Sequence, residues 1–193
     1  PWPYGTDRLP AETDHSPVGW SIHGDPIEAV HETYEFGLNA VELRPRSPGY
    51  DLEKVLAGLE RLRADRPLYL SWHLPNLSWH ETGVNGVDAV AEQVAQAKSC
   101  GVDALTVHVP QIGAGLMQPG NDAWQNFLNV YVHLFKTTVE AGIRLSIENV
   151  HNDPGTALAP QSRKFATRIG EYLAWLDAVD AAIGSGIGRV GAH

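Results

Sequence analysis

The sequence predicts an α/β protein with parallel strands, and within that class a (β/α)8 TIM barrel of which five to six βα units are present. Three observations predict it. Short apolar stretches alternate five times with longer stretches of helical period, the pattern of strands joined by crossover helices. The first strand runs into "IHGDPI", without the glycine-rich phosphate turn that open doubly wound sheets often carry there. The strands end in His23, Glu42, His73, His108 and Glu148, and reactive side chains at the carboxyl ends of several strands are the mark of a barrel.

Each element has its own justification. After a Pro-rich lead-in (1–17), "VGWSIH" reads as a strand, Asp25 as a helix cap and Pro26 as the first helical residue, where a missing N–H costs nothing. The helix "IEAVHETYEFG" stops at Gly37, and "NAVELR" forms the second strand. In "DLEKVLAGLERLRAD" the residues Leu52, Val55, Leu56, Leu59 and Leu62 make one apolar helical stripe, closed by Pro67. "LYLSWH" with "VDAVAEQVAQAKSCG", and "ALTVH" with "DAWQNFLNVYVHLFKTTVEAG", repeat the unit. The fifth unit is "RLSIEN" followed by "KFATRIGEYLAWLDAVDAAIG", with Phe165, Ile169, Tyr172, Leu173, Leu176 and Val179 at helical spacing. A sixth strand is expected in "GRVGAH".

Eight units need about 250 residues, and this chain has 193. Five or six parallel strands left open would expose an apolar edge. The expectation is therefore one α/β domain over residues 1–193 that is part of a longer chain. For a complete chain the open doubly wound sheet is the better fold.

Composition narrows the function. A hydrophobic fraction of 43% allows one sizeable core. A net charge of −9 with only 14 Lys plus Arg argues against wrapping a phosphate backbone, so no nucleic-acid partner is expected. The single cysteine, Cys100, excludes internal disulfides and reads as a small buried hydrophobe. No stretch approaches the ~18 apolar residues of a membrane span and no signal-peptide core precedes the first strand, so no membrane partner and a cytoplasmic location are expected. A homo-oligomer is compatible with the sequence.

Glu148 poses the chemical question. In "LSIENVHND" it directly follows apolar strand residues, and a carboxylate there needs a partner. Glu148 with His73 and His108 gives one carboxylate and two imidazoles at adjacent strand ends, the donor set of zinc, manganese or cobalt. Taken singly, each histidine also fits a hydrogen-bonded structural role, and no short metal motif is matched. Glu42 with Arg44 in "VELRPR" is read as a substrate contact, against an ordinary rim ion pair. Trp72, with Trp79 beside it, is read as core packing or as an apolar wall for a substrate. Asn149 is placed to orient Glu148, and His151 to reach it. The segment "GIGRVG" fits the dinucleotide fingerprint only by letter, since it follows a helix and opens none.

The segments "SWHLPN", "LTVHVP" and "LSIENVHND", in this order on successive strands, resemble the xylose isomerase-like superfamily of (β/α)8 barrels, which includes sugar phosphate isomerases and epimerases and endonuclease IV. The resemblance implies a divalent metal (zinc, manganese, cobalt or magnesium) held by Glu148, with His108 and His73 as ligands or, as more often in the epimerases, as substrate contacts. It implies a small carbohydrate substrate whose carbon-bound proton, acidified beside a metal-held carbonyl, is moved by Glu148 and a second glutamate. The family's further ligands come from later strands and are not visible here. Two other readings stay open: a metal-dependent phosphodiesterase like endonuclease IV, which would need a basic groove, and a barrel without catalysis used for binding.

Overall fold

A computed structural model of the chain describes residues 19–21, 26–45, 51–81, 83–152, 163–184 and 191–192. The lead-in (1–17), His23 and the cap Asp25 lie outside the described residues, as does most of "GIGRVG". In chain order the elements are β1 (Gly19–Ser21), α1 (Pro26–Glu35), β2 (Ala40–Leu43), α2 (Leu52–Asp65), β3 (Tyr69–His73), β4 (Ser78–His80), β5 (Gly83–Asn85), α3 (Val87–Ser99), β6 (Ala104–His108), α4 (Asp122–Glu140), β7 (Arg144–Glu148), α5 (Ile169–Ile183) and β8 (Gly191–Ala192). Strand and helix alternate as expected, and "GRVGAH" does contribute a sixth parallel strand. The antiparallel β4–β5 hairpin, inserted before α3, was not foreseen. The described residues form two compact units, the first running through His73 and including Cys100–Asp103, the second comprising Leu74–Ser99 and the rest from Ala104.

In the first unit β1 pairs with β2 and β2 with β3, all parallel. The register Glu42↔Ser71 and Leu43↔Trp72 sorts the side chains by alternation. Val41, Leu43, Leu70 and Trp72 are buried on one face, while Glu42, Ser71 and His73 belong to the other. Asp51 caps α2 by accepting from the Lys54 N–H at 3.2 Å, and of the predicted stripe Val55, Leu59 and Leu62 are buried while Leu52 and Leu56 are half-buried. Asp103 is stitched to β3 twice: its carboxylate accepts from Leu70 N at 2.9 Å, and its own N–H donates to the Leu70 carbonyl at 2.7 Å. Arg63 holds the Cys100 and Gly101 carbonyls, each at 3.3 Å, and burial pushes the half-buried Cys100 thiol up from its ordinary range.

In the second unit β6 and β7 pair in parallel, residue for residue from Ala104↔Arg144 to His108↔Glu148, and β7 pairs with β8. Asn121 caps α4 by accepting from Trp124 N at 2.9 Å. The core centres on Trp175, which is fully buried and meets the rings of Trp124, Tyr131 and Phe165 edge-to-face at 5.1, 5.3 and 6.0 Å, the arrangement ring quadrupoles prefer.

The last helix differs from expectation. It begins at Ile169, five residues later than "KFATRIG…" suggests. Its buried stripe is Tyr172, Trp175, Val179 and Ile183, whereas Ile169 and Leu173 are 70% and 50% exposed. The cause is an ion pair. Arg163, 3% exposed, donates from both terminal nitrogens to the Glu171 carboxylate at 2.6 and 2.5 Å. The same carboxylate accepts from Ala166 N at 3.1 Å, and Ala166 sits in the left-handed region at φ 60. This fold-back takes residues 163–168 out of the helix and buries Phe165 from a turn.

Hydrogen bonds from Arg163 hold the Glu171 carboxyl below the usual carboxylate range. A lowered folded-state pKa supplies stability that is full above the unfolded value and fades as pH falls through the folded one. Glu171→Gln strands a buried guanidinium and should cost roughly 3 kcal/mol in urea unfolding at neutral pH. The gap between wild type and variant should narrow on acidification below about pH 4. Equal urea midpoints at neutral pH would show that the pair does not hold this segment.

Candidate metal centre

The register of β6 with β7 determines what Glu148 faces. Parallel strands paired His108↔Glu148 bring their last residues side by side on one face, while Leu145 and Ile147 are buried on the other. His108 Nε2 lies 3.0 Å from Glu148 Oε2, with the two side chains 24% and 26% exposed, half-buried but reachable from solvent. His108 Nδ1 lies 2.8 Å from the side-chain oxygen of Asn76. An amide oxygen only accepts, so Nδ1 carries a proton and Nε2 is the nitrogen that addresses the carboxylate. A neutral Nε2 lone pair and a carboxylate oxygen repel at that distance, and a proton or a cation reconciles them. Metal bonds of about 2.0–2.1 Å put two ligand atoms that share one cation roughly 3–3.4 Å apart, so the pair fits a divalent ion in spacing as well as in chemistry.

The backbone behind this pair is held by buried phenols. Tyr131 of α4 donates its hydroxyl to the His108 carbonyl, and Tyr172 of α5 donates to the Ile147 carbonyl at 2.5 Å. Val109 N donates to the Glu148 carbonyl at 2.9 Å, tying the two strand ends together past the last pair. Burial pushes the Tyr131 phenol well above its ordinary range, so it stays protonated and remains a donor at any physiological pH.

In the first unit, His73 ends β3 and is buried at 7% exposure. Glu42 accepts from Arg44 Nε at 2.8 Å, the rim ion pair weighed against a substrate contact. Trp72 is corrected: it is 0% exposed and alternation places it on the face opposite His73 with Leu70, so it is a core side chain and not a wall for a sugar ring. Trp79 packs at 6.0 Å from Phe127. Asn149 and His151 are exposed beyond β7. The residues sequence reasoning missed are Asn76, Tyr131 and Tyr172. Asn76 stood in the quoted "SWHLPN", and a polar residue three positions past a strand-end histidine is the signal that pointed to it. Helical period marked Tyr172 as buried and said nothing about where its hydroxyl reaches, and Tyr131 stood unremarked inside its helix.

No protein-family profile and no curated protein matches the sequence. Solved structures do match the fold. The chain superposes on a D-tagatose 3-epimerase-like protein with a TM-score of 0.59 at 13% identity, covering 91% of this chain and 75% of that one. A 3-keto-D-glucoside 4-epimerase, YcjR, from E. coli gives 0.60 at 11% identity, over 92% and 67%. A xylose isomerase domain protein from Alicyclobacillus acidocaldarius gives 0.54 at 13% identity, over 86% and 56%. The chain has the fold of the xylose isomerase-like (β/α)8 barrels. It spans between about half and three-quarters of the length of these barrels. In chain order β1, β2 and β3 are the parallel strands of the first unit and β6, β7 and β8 those of the second, so that Glu148 ends the fifth of them. Among the described residues, no helix is long and apolar enough to cross a membrane.

Tyr131→Phe removes one hydroxyl and leaves the His108 carbonyl without that donor in a dry environment. The expected cost is about 1–3 kcal/mol in unfolding free energy, with the aromatic packing on Trp175 retained. A variant as stable as wild type in urea titration would show that the hydrogen bond to the strand end contributes nothing.

Proposed function

We propose that this chain is a divalent-metal-dependent sugar isomerase or epimerase in which Glu148 moves a proton to and from a carbon beside a carbonyl. One observation carries the reading: a carboxylate and an imidazole, both reachable from solvent, meet at the paired ends of β6 and β7 with a ligand-like separation of 3.0 Å. A carboxylate with imidazole ligation favours zinc, manganese or cobalt over magnesium. A bound cation would offset the charge of Glu148 and polarise a substrate oxygen. Glu148 would remove the substrate proton on one face of the carbon, and inversion needs a second acid to return it on the other. The barrels of similar fold, a 3-keto-D-glucoside 4-epimerase and a D-tagatose 3-epimerase-like protein, support a small carbohydrate carrying a carbonyl as substrate. The net charge of −9 gives no support to a phosphodiesterase that tracks a nucleic-acid backbone.

Metal analysis followed by a panel of ketoses and keto-glycosides tests this. Glu148→Gln keeps the shape and removes the base, and turnover on the responding sugar should fall about 10²–10⁴-fold. Full turnover in that variant would remove Glu148 from the chemistry. Epimerisation that persists after exhaustive chelation would remove the metal.

A further inference from the structure

The hydrogen bond between Asn76 and His108 Nδ1 comes from a backbone that is unusually constrained for a connecting segment. Asn76 lies between β3 and β4, and Pro75 and Leu77 on either side of it are buried. The Leu74 N–H donates to the Thr106 carbonyl at 2.8 Å, Gln111 N donates to the Leu77 carbonyl at 2.8 Å, and Trp79 N donates to the Gln111 carbonyl at 3.3 Å. Gly86, just past the hairpin, presses on the same residue: a Cβ there would stand 2.7 Å from the Asn76 carbonyl oxygen, and its φ of +94 suits only glycine. Hairpin, segment and loop therefore deliver one amide to one ring nitrogen. The exposed side chain needs only to keep its rotamer.

We propose that Asn76 is a positioning residue that selects the metal-facing nitrogen of His108, an inference that rests on the metal-centre reading above. Imidazole has two nitrogens of similar basicity, and a half-turn of the ring exchanges them. An acceptor fixed opposite Nδ1 keeps the proton there and points the Nε2 lone pair at the place where Glu148 Oε2 already stands. A ligand that must first choose its nitrogen and orientation binds a cation more weakly than one already set. Gly86 supports the choice indirectly by letting the Asn76 carbonyl approach.

The test is zinc titration of the full chain by calorimetry, combined with the ¹⁵N chemical shifts of the His108 ring. In wild type, zinc should bind with Nε2 moved to the metal-bound range and Nδ1 protonated. Asn76→Leu, a change at an exposed side chain, should weaken zinc about 10–100-fold and shift the Nδ1 resonance. Asn76→Asp restores an oxygen acceptor and should hold zinc at least as tightly as wild type with Nε2 still the ligand. A folded Asn76→Leu protein with unchanged zinc affinity and unchanged ring resonances would overturn the role of Asn76 while leaving the metal centre standing. Wild type that binds no zinc would overturn the metal centre itself, and the positioning role with it.

Discussion

His108 Nε2 and Glu148 Oε2 stand 3.0 Å apart because β6 and β7 pair without offset along five residues. In parallel strands a shift of one residue would turn one of the two side chains to the opposite face, where Leu145 and Ile147 are buried. The site is thus a consequence of register. Register in turn is held by apolar burial on the far face, by Val109 N on the Glu148 carbonyl, and by two buried phenols on the backbone of His108 and Ile147. A carboxylate brought this close to an imidazole in a half-buried place calls for a positive charge between or beside them.

The packing and the chemistry share residues. Tyr131 contributes its ring to the cluster around Trp175 and its hydroxyl to the strand end that carries His108. Tyr172 does the same for β7 from the buried stripe of α5. The Arg163–Glu171 pair fixes where α5 begins, and so where Tyr172 reaches the sheet. The packing of the second unit and the placement of its strand ends therefore depend on the same two tyrosines.

Much of this was legible because alternation and helical period report burial directly. The five units, the sixth strand at Gly191–Ala192, the bounds of β6 and the stripe of α2 follow from apolar spacing alone. Glu148 was legible for the opposite reason, as a charge where apolar residues should continue. Trp72 stood between core packing and a substrate wall, and parity decides for the core: its neighbour His73 takes the opposite face, so Trp72 joins Leu70 in the core. The late start of α5 escaped because the apolar spacing of Phe165 and Ile169 imitates a helix, while the deciding Arg163–Glu171 bond is a tertiary contact. Asn76 escaped because a loop amide has no period, and its partner comes from 32 positions away.

The central claim is that the ends of β6 and β7 hold a divalent cation. Anomalous diffraction from crystals grown with zinc tests it most directly. The account predicts a zinc peak at about 2.0–2.2 Å from both His108 Nε2 and a Glu148 carboxylate oxygen, with His108 Nδ1 still on Asn76. Crystals with zinc bound elsewhere, and His108 joined to Glu148 by nothing more than a hydrogen bond, would contradict it.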